Sequence, residues 1–153
     1  MQPFLEAAGT KEDPARNIIV SSVGGIIVPH VGKTGAIAYA ASKAAAHHLT
    51  RNFAMEHIPH HITTNTIAPG WFPTRLANPA IDKAGGEEVA GASNPSGRLG
   101  VPDDIAGVAV YLASRAGRYV NGEDISVDGG SRLANAGAMH HIQEVRAQKA
   151  SKI

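Results

Sequence analysis

The chain has no cysteine, which removes disulfides, a thiolate nucleophile and Cys-ligated metal, and suits an intracellular address. It has no excess of one charge: the formal net charge is +1. A polybasic footprint for nucleic acid is therefore missing. No apolar run approaches the ~20 residues of a membrane span, and the N-terminus lacks the charged segment and apolar core of a signal peptide. What remains is 153 residues, 43% hydrophobic and 18% charged. That composition fits a folded globular chain with a real core.

The most informative stretch is Tyr39-Ala-Ala-Ser-Lys43. Its surroundings predict a helix from about Ala36 to Glu56, so the phenol and the ammonium fall at i and i+4 on one face. A free phenol has a pKa of about 10 and carries protons poorly at neutral pH. A neighbouring cation stabilises the phenolate and makes such a pair suitable for general acid/base chemistry. A Tyr and a Lys at this spacing also share many ordinary solvated faces.

Three further stretches surround it. Asn17-Ile18-Ile19-Val20-Ser21 predicts a buried strand, with Ser22 and Val23-Gly24-Gly25 following. Ile62 to Ile67 predicts a second strand, leading into Ala68-Pro69-Gly70-Trp71-Phe72-Pro73-Thr74. Val120-Asn121-Gly122 precedes a last strand over about 123–127 and the turn Asp128-Gly129-Gly130. Taken in order, these motifs closely resemble the C-terminal half of the short-chain dehydrogenase/reductase family, from about residue 15 to residue 132. Within the family the chain looks most like the 3-oxoacyl-carrier-protein-reductase type.

The resemblance implies an α/β fold, the C-terminal part of a Rossmann-type doubly wound parallel sheet. It implies an NAD(P)-dependent oxidoreductase, with NADP slightly preferred, acting on a small carbonyl or alcohol substrate. Tyr39 is implied as the proton carrier, and Lys43 as its partner and a hydrogen-bond donor to the nicotinamide ribose. Ser22 is the implied donor to the substrate oxygen, with Ser21 the competing choice. Either serine can equally be an end-of-strand hydroxyl satisfying a turn. Pro69, Gly70, Phe72 and Thr74 are the implied cofactor contacts, together with Tyr39 and Lys43. No Gly-rich pyrophosphate turn of the family type occurs, which implies that the N-terminal cofactor-phosphate half is missing. The rival to an enzyme is then a non-catalytic remnant or fragment that binds a related subunit.

Further expectations concern organisation. Residues 1–133 form the Rossmann portion, and 134–153 a polar tail that is either disordered or a short helix. Gly24 to Gly35 is a cleft-bordering loop that separates Ser22 from Tyr39 by more than the family's usual spacing. Residues 71–97, rich in Pro, Gly, Ala and Asn, resemble the mobile substrate loop of the family. Pro102-Asp103-Asp104 opens a helix with Ile105, Val108, Ala109 and Leu112 on its apolar face. Ala41, Ala45, Leu49 and Phe53 form a stripe that either faces the core or, as in family homo-oligomers, another subunit. The eight histidines show no spacing typical of a zinc site. The expected address is cytoplasmic; Ser151-Lys152-Ile153 resembles a peroxisomal terminus and makes that the alternative.

Overall fold

β-Branched runs with few charges give three strands, and alanine-rich stretches give the helices around them. The computed structural model describes residues 2–28 and 36–151. In chain order the elements are α1 (Gln2–Ala8), β1 (Ala15–Val20), α2 (Ile37–His57), β2 (Ile62–Pro69), α3 (Asn78–Lys83), α4 (Glu87–Ala92), α5 (Pro102–Ala113), β3 (Asp124–Val127) and α6 (Ala136–Ala150). The strands lie in the order β1-β2-β3, both pairs parallel. Ala15 faces Ile62 at one end of the first pair and Val20 faces Ile67 at the other; Pro69 faces Val127 in the second. Parallel neighbours need helical crossovers, and α2 and α5 supply them.

The chain divides into two compact units, Met1–Gly70 with Pro102–Val127, and Trp71–Val101 with Asp128–Ile153.

In the first unit the central strand β2 is buried from Ile62 to Ala68, although four of those residues are Thr63, Thr64, Asn65 and Thr66. Buried polar groups are costly unless paired, and each of the last three has a partner. Thr66 Oγ1 meets Thr50 Oγ1 of α2 at 2.5 Å. Asn65 donates to the Val120 carbonyl at 2.8 Å and accepts from the Glu123 amide at 3.0 Å. Asn121 accepts from the Thr64 amide at 2.8 Å and donates to the Ala54 carbonyl at 2.9 Å. Together the two asparagines pin the turn that feeds β3 into register.

Helix α2 buries His47, Thr50 and Ala54, a spacing that places them on one face. Of the expected stripe, Ala41, Ala45 and Leu49 are exposed, while Phe53 is half-buried and stacks on His57 with ring centres 4.9 Å apart. The helix ends where Pro59 enters the following turn and His61 adopts a left-handed conformation, φ 57°. Helix α5 begins at Pro102 and buries Leu112, with Ile105, Val108 and Ala109 half-buried.

The second unit has a smaller core of Ile81, Ala90 and Leu99, with Trp71 and Ala77 against it. Within residues 71–97, expected as a loop, two short helices form. The tail is α6, a 15-residue helix whose first turn is capped by Asn135, which accepts from the Ala138 amide at 2.9 Å. The cleft-loop expectation is described only as far as Val28; residues 29–35, and Lys152 and Ile153 of the terminal tripeptide, lie outside the described residues.

Candidate active site

β1 runs out at Val20 and delivers two hydroxyls to the carboxyl end of the sheet. Ser21 is buried, and its Oγ donates to the Lys43 carbonyl of α2 at 3.1 Å. Its proton is therefore engaged by backbone. Ser22 is half-buried and differs: its Oγ accepts from the Gly24 amide at 3.1 Å and caps the Val23–Gly25 turn. A hydroxyl that accepts from an amide keeps its own proton to donate. Both serines thus satisfy local backbone, but only Ser22 does so as an acceptor.

Gly25 makes this placement possible. A Cβ there would lie 2.5 Å from the Lys43 carbonyl carbon and 2.6 Å from the Ala44 nitrogen, so glycine lets the turn rest directly on the α2 backbone. Tyr39 lies in the first turn of α2, 37% exposed. One turn later Lys43 holds its Nζ 5.5 Å from the centre of the Tyr39 ring. A cation at that distance is attracted to the ring face, an effect of about 0.5–1 kcal/mol at exposed sites. Among the described residues no carboxylate forms an ion pair with Lys43. A separate apolar recess of about 420 Å³ opens between the Gly24–Val28 turn and the first two turns of α2, lined there by Ile37, Ala40, Ala41 and Ala44 rather than by Tyr39 or Lys43.

Pro69 and Gly70 sit at the carboxyl end of β2, where the Gly70 amide donates to the Val127 carbonyl at 2.9 Å. Ligands of open parallel sheets bind at this end of the strands. Phe72 and Thr74 belong to the second unit. The Phe72 ring fills the space a side chain at Gly100 would need, and the Gly100 amide donates to the Trp71 carbonyl at 2.9 Å. Thr74 Oγ1 accepts from the Ala77 amide at 3.2 Å, bracing the turn before α3. The Asp128 carboxylate accepts from the Gly130 and Arg132 amides and from the Ser131 hydroxyl, closing the turn after β3. Ser21 is thus bonded to the Lys43 backbone, and the Lys43 side chain stands over Tyr39; Ser22 follows Ser21 at the end of β1, and Pro69 and Gly70 end the neighbouring strand.

His47 was not singled out for this region, yet it touches Ser22. Its position one turn beyond Lys43, in line with Thr50 and Ala54, was the available signal. Among the described residues no cluster of three or more His, Asp or Glu side chains could hold a metal ion. Nor is any described helix long and apolar enough to cross a membrane.

Residues 4–132 match the family model described as enoyl-(acyl carrier protein) reductase. The chain belongs to the short-chain dehydrogenase/reductase family. This family member is 42% identical over 131 residues to the rhamnolipids biosynthesis 3-oxoacyl-[acyl-carrier-protein] reductase of Pseudomonas aeruginosa, covering 86% of the chain and 50% of the relative. It is 45% identical over 112 residues to a 2-dehydro-3-deoxy-D-gluconate 5-dehydrogenase of Bacillus subtilis, covering 73% and 41%. Among solved structures it resembles the Pseudomonas aeruginosa RhlG/NADP active-site complex with a TM-score of 0.75 and 40% identity, covering 86% of this chain and 52% of the other. The short-chain dehydrogenase/reductase chain described here spans about half the length of the curated relatives it matches.

Proposed function

We propose that this chain carries the proton-transfer centre of an NAD(P)-dependent oxidoreductase that interconverts a ketone or 3-oxoacyl group and the secondary alcohol. The observation that carries the proposal is the Lys43 ammonium over the half-exposed Tyr39 ring; Ser22, at the end of β1, accepts from the Gly24 amide and has no acceptor for its hydroxyl proton among the described residues. When bound, the nicotinamide supplies hydride in reduction and accepts it in oxidation. Tyr39 Oη gives its proton to the carbonyl oxygen as that oxygen gains charge, and takes it back in the reverse direction. Ser22 Oγ donates a hydrogen bond to the same oxygen, stabilising the charge that develops there. Lys43, with no carboxylate partner among the described residues, has donors left for a ribose hydroxyl and a charge to set against the phenolate. Pro69 and Gly70, at the carboxyl end of β2, would hold the nicotinamide carboxamide. NADP is the favoured dinucleotide, supported by the NADP complex of the Pseudomonas neighbour.

The test is a chimera in which this chain follows the N-terminal half of the Pseudomonas reductase. It should oxidise NADPH in the presence of a 3-oxoacyl thioester. Ser22→Ala should lower kcat by ~100-fold, Ser21→Ala by less than about twofold. Lys43→Ala should lower kcat and weaken dinucleotide binding together. Equal losses at the two serines would defeat the Ser22 assignment, and unchanged cofactor affinity in Lys43→Ala would remove the ribose contact.

The exposed Ala41, Ala45 and Leu49 of α2 favour a second role, docking on another copy or a related subunit. Small residues allow close helix approach. Leu49→Glu should abolish any concentration-dependent association seen by sedimentation; association unchanged by it would reject this surface.

A further inference from the structure

His47 takes no part in the chemistry above, yet it is 3% exposed and uses both ring nitrogens. Nδ1 lies 2.8 Å from Asp124 Oδ1, at the first residue of β3. Nε2 lies 2.9 Å from the carbonyl oxygen of Ser22. The other Asp124 oxygen accepts from Arg51 at 2.7 Å, one turn further along α2. Carbonyl and carboxylate oxygens only accept, so the ring holds both bonds when it carries both N–H groups.

Three donors therefore converge on Ser22. Its carbonyl accepts from His47 and, at 3.1 Å, from the Gly25 amide; its Oγ accepts from the Gly24 amide. Among the described residues the hydroxyl proton is left without an acceptor. Building on the reading of Ser22 as donor to the substrate oxygen, we propose that His47 is a positioning residue for that hydroxyl. Arg51 and the sheet fix Asp124, Asp124 fixes the plane of the imidazole, and the imidazole fixes the Ser22 peptide. With the peptide and one Oγ lone pair held, the hydroxyl proton has a restricted arc in which to point. Such support matters because catalytic geometry tolerates only about 0.5 Å of looseness.

A histidine that merely ties α2 to the sheet would lower stability and leave the chemistry alone. A double-mutant cycle in the chimera separates the two roles. His47→Leu should lower kcat by ~10-fold or more with KM within about twofold, and His47→Gln, which keeps a donor toward the Ser22 carbonyl, should recover most of it. With Ser22→Ala already present, His47→Leu should cost less than about twofold. An undiminished cost in that background, or a fall in Tm with kcat unchanged, would overturn the proposal. Full kcat in Ser22→Ala alone would instead defeat the Ser22 assignment beneath it. Should His47→Leu not fold in the chimera, the 153-residue chain supplies the decision through amide exchange. The Gly24 and Gly25 amides should stay protected in His47→Gln and exchange ~10-fold faster in Asp124→Leu, with β2 amides unchanged. Equal exchange in both variants would likewise overturn it.

Discussion

The two compact units solve the burial problem in different ways. The first buries a strand of threonines and an asparagine and satisfies it with a hydroxyl–hydroxyl bond from Thr50 of α2 and side chain–backbone bonds with the 120–123 turn. The second has a core of Ile81, Ala90 and Leu99 braced by bonds to its own backbone: Asn94 donates to the Asp128 carbonyl at 2.9 Å, and Arg146 of α6 donates to the carbonyls of Ala92, Asn94 and Pro95 at 3.3, 3.2 and 2.6 Å. A guanidinium at the C-terminal end of α4 is favoured by the helix dipole as well. Tyr39, Lys43 and Ser22, the groups proposed for the chemistry, all lie in the first unit, and the segment expected on the substrate side lies in the second.

The sharpest way to break this contrast is to open a cavity in each core. Ile67→Ala in β2 and Ile81→Ala in α3 each remove a side chain that is 1% exposed, a change worth about 2–5 kcal/mol in a buried site. Ile67→Ala should lower the main unfolding transition by that amount. Ile81→Ala should erase hydrogen-exchange protection in residues 77–101 and leave β2 protected. If Ile81→Ala loosens β2 equally, the units unfold as one and the contrast fails.

Arg146→Ala should have a smaller effect, about 1–3 kcal/mol, because three carbonyls lose a charged donor but can turn to water. Amide exchange should rise over Asn94–Gly97, and Arg146→Lys should restore only part of the protection, since an ammonium lacks the planar fork. No change in exchange would show that the segment is held by other means.

The smallest effect concerns Asp13. Its hydrogen bond from Arg16 at 2.6 Å holds the carboxyl below its usual value, with the charges of Arg16, Arg115 and Arg118 adding to this and burial opposing it. A carboxyl depressed in the folded state stabilises above the unfolded value of ~4, and that stability is lost as pH falls through the folded value. Asp13→Asn should therefore lower the urea midpoint at pH 6, and the gap from wild type should close as the pH drops below ~4. A gap that persists at pH 2 would mean the contact acts through something other than charge.

Much of the first unit was legible in the sequence because its signals are local. The strands stand out as β-branched runs, Tyr39 and Lys43 declare their shared face by spacing, and Pro102 with two aspartates marks a helix start. The buried face of α2 was not legible. Periodicity arguments follow apolar residues, and this face carries His47 and Thr50 while the apolar Ala41, Ala45 and Leu49 look outward. The role of Asn65 and Asn121 was hidden for the same reason, since each acts on backbone groups far away in the chain. In the second unit, α6 reads as a polar tail because its anchor is one arginine on carbonyls, which leaves no pattern in composition. Thr74, expected only as a cofactor contact, also braces a turn.

The central claim is that Tyr39 moves the proton, and replacing its hydroxyl tests that most directly. In the chimera with the Pseudomonas N-terminal half, Tyr39→Phe should reduce single-turnover NADPH oxidation by ~1,000-fold or more, with the dinucleotide dissociation constant within about threefold of the parent. A variant that keeps most of the parent rate would contradict the claim.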